Sequence, residues 1–372
     1  MQFKEIKVSN VLHDTRTAYL RDIDATGKTM VSVGANGSGY FDWIHANCGL
    51  PRRHIGIELF LPKPDVLPEN SEWVANTAGD MSDIEDDVAD VVFSGQNIEH
   101  LWEHDVTNFL LESNRILKHG GLLVVDSPNR IITEALCIVH PEHMLEFTPD
   151  EMCELLSLAG FDVTKKRGIF LTRDPRNGQF LPYQPDFLWE GPWSLVERCA
   201  LSDRHVRDSY LWWIEARKTE RVPVEQDVRK RVRQFWEAGW PERMSRFNSE
   251  LGEPVQIGGK SYYNSIKGQQ GALIYGPYVP IIRGRYRASM LVSLLDDVSS
   301  DAVIGVIDVV LNETVVAKAD IRAGDLTRSG YSRIWIDFST TADTTFGLQC
   351  RIILNGTSGV SVERGFELDR AD

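Results

Sequence analysis

The segment MVSVGANGSGYF, residues 30–41, constrains this chain more than any other, because an apolar run rich in β-branched residues feeds directly into three glycines and an aromatic. Gly34, Gly37 and Gly39 let the backbone after such a strand turn sharply and approach a ligand with no Cβ in the way, and Ala35 and Asn36 share that loop. A dinucleotide turn asks for G-x-G-x-x-G. With Gly34 first, Asn36 fills the second place; with Gly37 first, Asp42 fills the last. The dinucleotide reading loses ground, and the neighbouring segments have to decide.

Between residues 29 and 171, short apolar runs alternate with helical-period stretches, the pattern of strand and helix units stacked into a largely parallel sheet. Strands are expected at Thr29–Val33, His54–Glu58, Trp73–Asn76, Val88–Ser94 and Gly121–Ser127. Amphipathic helices are expected at Val106–Leu117 and at Pro149–Ala159, the latter opened by Thr148 as N-cap and closed by Gly160. Two further strands, Phe161–Leu171 and Tyr210–Ala216, flank an aromatic-rich insertion over 172–209, read either as a roof to a substrate pocket or as a flap packed by its own aromatics. Pro223 to Phe247 reads as a charged helix or two, broken at Gly239 and Pro241.

From about Ser261 the period becomes two. Runs at Tyr286–Leu295, Ala302–Leu311, Thr314–Ile321, Tyr331–Phe338, Phe346–Leu354 and Val360–Leu368 predict a β-sandwich. A length of 372 residues exceeds what one core usually holds. The expected organisation is an N-terminal extension (1–25), an α/β domain (26–220), a helical linker (221–254) and an all-β module (255–372).

A formal charge of −14 argues against a sequence-independent grip on nucleic acid, which Lys and Arg would have to supply. The one basic cluster, Arg229-Lys230-Arg231-Val232-Arg233, reads as a solvated helix face. Five cysteines, at 48, 137, 153, 199 and 350, form no C-x-x-C pair, so reduced thiols are expected. No signal-peptide-like or membrane-spanning stretch stands out, which predicts a cytoplasmic protein, able to work at the inner face of a membrane if its substrate is lipid-linked.

The adenosine-binding potential lies in three later segments. HIGIELF ends a strand in Glu58, an acid placed to accept from both hydroxyls of a ribose; ANTAGDMSDI offers Asp80 to an adenine amino group and Met81 to its ring. DVVFSGQNIEHLW ends in a polar loop. Together with VSVGANGSGYF, ILKHGGLLVVDSPNR and HMLEFTPDEMCELLSLAGF, these ordered blocks resemble class I S-adenosylmethionine-dependent methyltransferases over roughly residues 25 to 220. The resemblance implies an α/β Rossmann-like domain, a mostly parallel sheet with helices on both faces, followed here by an all-β sandwich of jelly-roll type. It implies S-adenosyl-L-methionine as cofactor, held by Gly34, Ala35, Asn36, Gly37, Gly39, Glu58, Asp80, Met81, Ser94 and Gln96. Two departures are Ser32, where the family usually has an acid, and the spacing G-A-N-G-S-G in place of G-x-G-x-G.

Methyl transfer to a hydroxyl needs alignment of donor and acceptor and a base for the proton. His100 and His143 are the candidate bases, with Glu99, Asp126 or Glu142 to orient them; Gln96, Asn97, Arg130 and His140 are candidate acceptor contacts, and no metal is expected. Residues 100–104 also read H-L-W-E-H, the H-x-x-E-H signature of a zinc hydrolase if both histidines share a helical face. At the C-terminus, ALIYGPYVPIIRGRYRASMLVSLL resembles β-sandwich modules of bacterial surface-polysaccharide enzymes, which implies a glycan or an assembly enzyme as partner. Tyr275, Tyr278, Arg283, Arg285 and Tyr286 could contact sugars or simply pack. The expected function is O-methylation of a sugar hydroxyl, of an O-antigen-type chain or its terminus. Methylation of a small metabolite, with the β module serving oligomerisation, and a non-catalytic glycan-binding scaffold are the alternatives.

Overall fold

A computed structural model describes residues 8–59, 61–136, 138, 140, 143–181, 193–244, 247–258 and 260–370. The chain divides into two units, Met1–Glu237 and Ala238–Asp372. In the first, the strands are β1 (Thr29–Val33), β2 (Arg53–Ile57), β3 (Ser71–Val74), β4 (Ala89–Gly95), β5 (Leu117–Pro128), β6 (Phe161–Leu171) and β7 (Ser209–Lys218). Every residue of β1 is buried, as befits a central parallel strand covered on both faces. The sheet order is β3-β2-β1-β4-β5-β7-β6. β1 to β5 run parallel and β7 lies antiparallel between β5 and β6. The order reverses between β1 and β4, the switch point beyond whose carboxyl ends an open α/β sheet takes its ligands.

The helices are α1 (Val8–Leu20), α2 (Ser38–Cys48), α3 (Glu103–Ile116), α4 (Arg130–Ala135), α5 (Pro149–Leu158), α6 (Leu195–Ser202) and α7 (Glu225–Met244). α1 comes from the segment read as an extension, yet its Tyr19 and Leu20 share a core with Met30, Ile44, Phe93 and Trp213. α2 packs against β2 at Gly56, where a Cβ would stand 2.4 Å from Phe41 Cζ. α5 starts as expected: Thr148 Oγ1 accepts from Glu151 N at 3.2 Å and the Glu151 carboxylate accepts from Thr148 N at 2.8 Å, a reciprocal cap. α7 corrects the expected break: it runs as twenty residues to Met244. Pro241 lies in its last turn. On α7, Arg229 pairs with Glu225 and Arg231 with Glu154, so the basic cluster is an ion-paired helix face. Cys48, Cys153, Cys199 and Cys350 are free thiols. Residues 182–192 of the insertion, and Cys137, lie outside the described residues.

Beyond the end of α7, the second unit is all-β. Its strands are β8 (Val255–Ile257), β9 (Lys260–Asn264), β10 (Gln270–Ile274), β11 (Pro277–Leu294), β12 (Val303–Leu311), β13 (Thr314–Arg322), β14 (Ser332–Asn355), β15 (Val360–Glu363) and β16 (Glu367–Arg370), paired antiparallel throughout. The two runs expected at 331–338 and 346–354 belong to one strand, β14, whose first part pairs with β11 and whose last part pairs with β12. Period two holds along β11, where Tyr286, Ala288, Met290 and Val292 are buried while Arg285 and Arg287 face out. Asn312 and Glu313, both at positive φ, turn β12 into β13 as a two-residue hairpin. No described helix is long and apolar enough to cross a membrane.

Candidate functional site

Strand register sets the site. Val33 pairs with Ile57 and Ser94, and Gly95 with Asp126, so Gly34, Glu58 and Gln96 leave the sheet side by side, next to Ser127, which is still in β5. Gly34 and Ala35 donate their N–H groups to the Ile57 carbonyl at 2.9 and 3.2 Å, which folds the glycine loop against the end of β2. Gly34 sits at φ +75° and Gly37 at +77°, conformations that L side chains rarely adopt. A Cβ on Gly37 or Gly39 would meet nothing within 4 Å, so both present bare backbone to open space at the start of α2; one on Gly34 would lie 3.2 Å from Asn97 Oδ1. Ala35 is buried and Asn36 is exposed.

Glu58 is buried, and its Oε1 accepts from Leu61 N at 3.2 Å. Asp80 is exposed, its Oδ1 accepting from Ser82 N at 3.1 Å. Met81 lies fully inside the core under the same loop, pinned through its backbone by Glu112 and Arg115, so Asp80 and not the Met81 side chain is presented. Beyond β4, Gln96 donates to Asp126 Oδ1 at 2.6 Å, and Arg16 of α1 donates to Asp126 Oδ2 at 3.0 Å. Ser94 Oγ and Asn97 Nδ2 are buried without a hydrogen-bond partner among the described residues, a cost that a ligand at this crevice relieves.

Ser32, standing where the resembled family carries an acid, is spent on structure. Its hydroxyl meets His54 Nε2 at 2.7 Å, and His54 Nδ1 meets His45 Nε2 at 3.0 Å. Burial, with His45 adding, pushes His54 from 6.5 down to about 3. The unfolded chain therefore takes up a proton as pH falls below about 6.5 while the folded chain does not, so stability is present above that pH and drains away toward the folded value. Unfolding free energies from urea titration should fall between pH 7 and pH 5 by up to about 1 kcal/mol per pH unit, and His54→Gln should flatten that slope.

A second cluster forms one short turn past Asn97. Glu99 is fully buried, and burial pushes its carboxyl up to about 8, with the negative charges of Asp126 and Glu146 adding. The Ser127 hydroxyl is near enough to oppose that shift, yet neither Glu99 oxygen makes a hydrogen bond with a described residue. Met144 N donates to the Glu99 carbonyl at 2.6 Å, which brings the loop carrying His143 against it. His143 packs edge-on to His100 with ring centroids 4.9 Å apart and stacks on His140 at 4.2 Å. One ligand atom each from Glu99, His100 and His143 lie within 4.8 Å of one another, although no metal was expected. His143 Nδ1 meets Glu146 Oε1 at 2.5 Å, and Thr133 Oγ1 donates to the other Glu146 oxygen.

The structure thus gathers His100, His140, His143 and Glu99 and sets Arg130 apart. Arg130 pairs with Glu151 and Glu134, tying α4 to the α5 cap. Glu142 lies outside the described residues. The H-x-x-E-H reading fails on geometry: His100 ends a short 3₁₀ turn (Ile98–His100), Trp102 is extended, and α3 begins only at Glu103. His104 turns to Asp105 at 3.3 Å, so the two histidines do not share a helical face. Arg16 and Glu146 were missed. Glu146 was legible as a His–x–x–Glu spacing, whereas nothing local marks Arg16.

Residues 32–125 match the family described as a methyltransferase domain. A Mycolicibacterium smegmatis protein named "Probable S-adenosylmethionine-dependent methyltransferase" is 41% identical over 83 residues, covering 22% of this chain and 32% of that protein. A protein named in the same terms from Mycobacterium tuberculosis is 41% identical over 83 residues, covering 22% of this chain and 30% of its own length. The chain spans about a third of the length of these curated relatives. Among solved structures, the complex between the Haloferax volcanii Trm112 methyltransferase activator and a methyltransferase matches at a TM-score of 0.42 and 18% identity, over 57% of this chain and 92% of that one. A SAM dependent methyltransferase from Archaeoglobus fulgidus matches at 0.39 and 18%, over 55% and 94%. The N-terminal unit thus has the Rossmann-like methyltransferase fold, and residues 32–125 within it match a methyltransferase-domain family whose relatives are named for S-adenosylmethionine as cofactor.

Proposed function

We propose that this chain moves the methyl group of S-adenosylmethionine onto a hydroxyl oxygen of a sugar, in a polysaccharide chain or at its end. The glycine loop of residues 34–39 wraps the methionyl end of the cofactor, Glu58 clasps the ribose, Asp80 accepts from the adenine amino group, and Ser94 and Gln96 line the sulfonium end. The acceptor oxygen attacks the methyl carbon in line with the carbon–sulfur bond. That bond's electron pair stays on sulfur, leaving S-adenosylhomocysteine, and the hydroxyl proton passes to the histidine cluster.

The observation that carries this reading is the juxtaposition, with the polar loop after β4, of three histidines and a buried Glu99 that has no hydrogen-bond partner among the described residues. A nitrogen or carbanion acceptor has less need of such a proton-handling cluster. Sugar as the acceptor is favoured by the likeness of the C-terminal module and by its exposed aromatics, Trp335 at 57% and Tyr278 at 45% exposure, since aromatic faces suit the apolar faces of pyranoses. Tyr286 packs on Phe338 in the core and is not part of that surface.

The test is transfer of radiolabelled methyl from S-adenosylmethionine by the full chain to a panel of free sugars, polysaccharides and small phenols. Label in alkali-stable sugar methyl ethers is expected. Label only in phenols would move the assignment to small metabolites, and cofactor binding with no transfer to any acceptor would favour a glycan-binding scaffold.

A further inference from the structure

We propose that Glu99, His100 and His143 hold a divalent first-row metal cation, whose open coordination positions take the acceptor's oxygens. Three observations carry it. One ligand atom from each residue falls within 4.8 Å of the others, a spacing a single ion can bridge. Glu99 is fully buried with both oxygens lacking a hydrogen-bond partner among the described residues, a costly state that a cation beside it removes. His143 carries the outer support that metal-binding imidazoles show: its Nδ1 meets Glu146 Oε1 at 2.5 Å, which leaves Nε2 for a metal, and Thr133 fixes the far oxygen of Glu146.

The donor set is two imidazoles and one carboxylate, which suits manganese, iron, cobalt or zinc better than magnesium or calcium. Three protein ligands leave positions open, as in a catalytic site and unlike a closed structural one. The cluster lies one short turn past Asn97, whose Oδ1 rests against Gly34, so a cation here sits at the reacting end of the proposed cofactor site. Bound to an alcohol oxygen, it lowers the hydroxyl's pKa and fixes the oxygen for attack. The proton released from the alcohol leaves toward solvent, where His140, stacked on His143 and outside the ligand set, is exposed. This catalytic role rests on the methyl-transfer reading above, whereas the cation site does not.

Cobalt(II) chloride titrated into chelator-treated full-length protein, followed by visible d–d absorption, is the direct probe. The wild type should take up about one equivalent with a mixed imidazole and carboxylate spectrum. Glu99→Gln and His143→Ala should bind it at least about a hundredfold more weakly, and Glu146→Gln about ten- to a hundredfold more weakly. S-adenosylmethionine titrated calorimetrically into the same samples should bind all four proteins alike, which also reports that the variants are folded. No saturable cobalt uptake by a wild type that binds the cofactor overturns the cation site and leaves the methyltransferase reading standing. Uptake unchanged in both Glu99→Gln and His143→Ala overturns it too, by moving the metal elsewhere. Cobalt bound at this cluster by a protein that ignores S-adenosylmethionine supports the site and sinks the methyl-transfer reading instead.

Discussion

Glu58→Ala will bind S-adenosylmethionine roughly a hundredfold more weakly than the wild type, a loss of about 3 kcal/mol seen by isothermal titration. Register puts Glu58 directly beside Gly34 at the end of β2, and the side chain is buried, so in the proposed cofactor site two ribose hydroxyls would donate to its carboxylate largely out of water. A hydrogen bond to a charged group contributes about 1.5–3 kcal/mol, and two are lost together here. Glu58→Gln retains one acceptor oxygen and the backbone contact to Leu61, and its loss should be about tenfold. An alanine variant that binds as tightly as the wild type would remove the acid from the cofactor site and, with it, the reason for reading this crevice as an adenosine pocket.

The part of the site that sequence made legible is the part built from local rules. β1 and its glycines could be read because an apolar run, a sharp turn and an absent Cβ are adjacent in the chain, and β1 and β6 begin and end at the expected residues. The Thr148 cap was legible for the same reason, since both partners lie within four residues. The histidine cluster was visible only as a set of candidates. What assembles it is a backbone hydrogen bond from Met144 to Glu99 across 45 positions, which no period or spacing encodes. Arg16 was invisible because its segment reads as a polar extension, and only the packing of Tyr19 and Leu20 carries α1 to the ends of β4 and β5.

The H-L-W-E-H alternative fails for a sharper reason. The i, i+4 spacing implies a shared face only if the helix is already running, and here a 3₁₀ turn and an extended Trp102 intervene. In the second unit two runs were expected at 331–338 and 346–354, whereas β14 runs through the polar Ser339-Thr340-Thr341 between them and keeps β11 as its partner across it. Register shifts along β11 absorb the offset, which period-two counting cannot foresee.

His143→Ala should lower kcat for methyl transfer by about 10²- to 10⁴-fold, the range a positioned proton acceptor or activating group supplies, with little change in cofactor affinity. The side chain packs on His100 and His140 in a loop outside the sheet, and unchanged S-adenosylmethionine binding will report that the variant is folded. Graded partners separate a chemical role from a packing one. Glu146→Gln removes the charge held against Nδ1 and should cost about ten- to a hundredfold in kcat, and Thr133→Val, one step further out, less than about tenfold. A merely structural His143 predicts the reverse: the three substitutions would shift thermal stability in proportion to what they unpack and leave kcat within about threefold of the wild type. The order of the three kcat values is the informative result, because each step away from the ring weakens its hold on one imidazole nitrogen without touching the glycine loop. If instead the Thr133 variant proves the most damaged, Glu146 is positioned for some purpose other than His143, and the cluster loses its claim to the reacting hydroxyl.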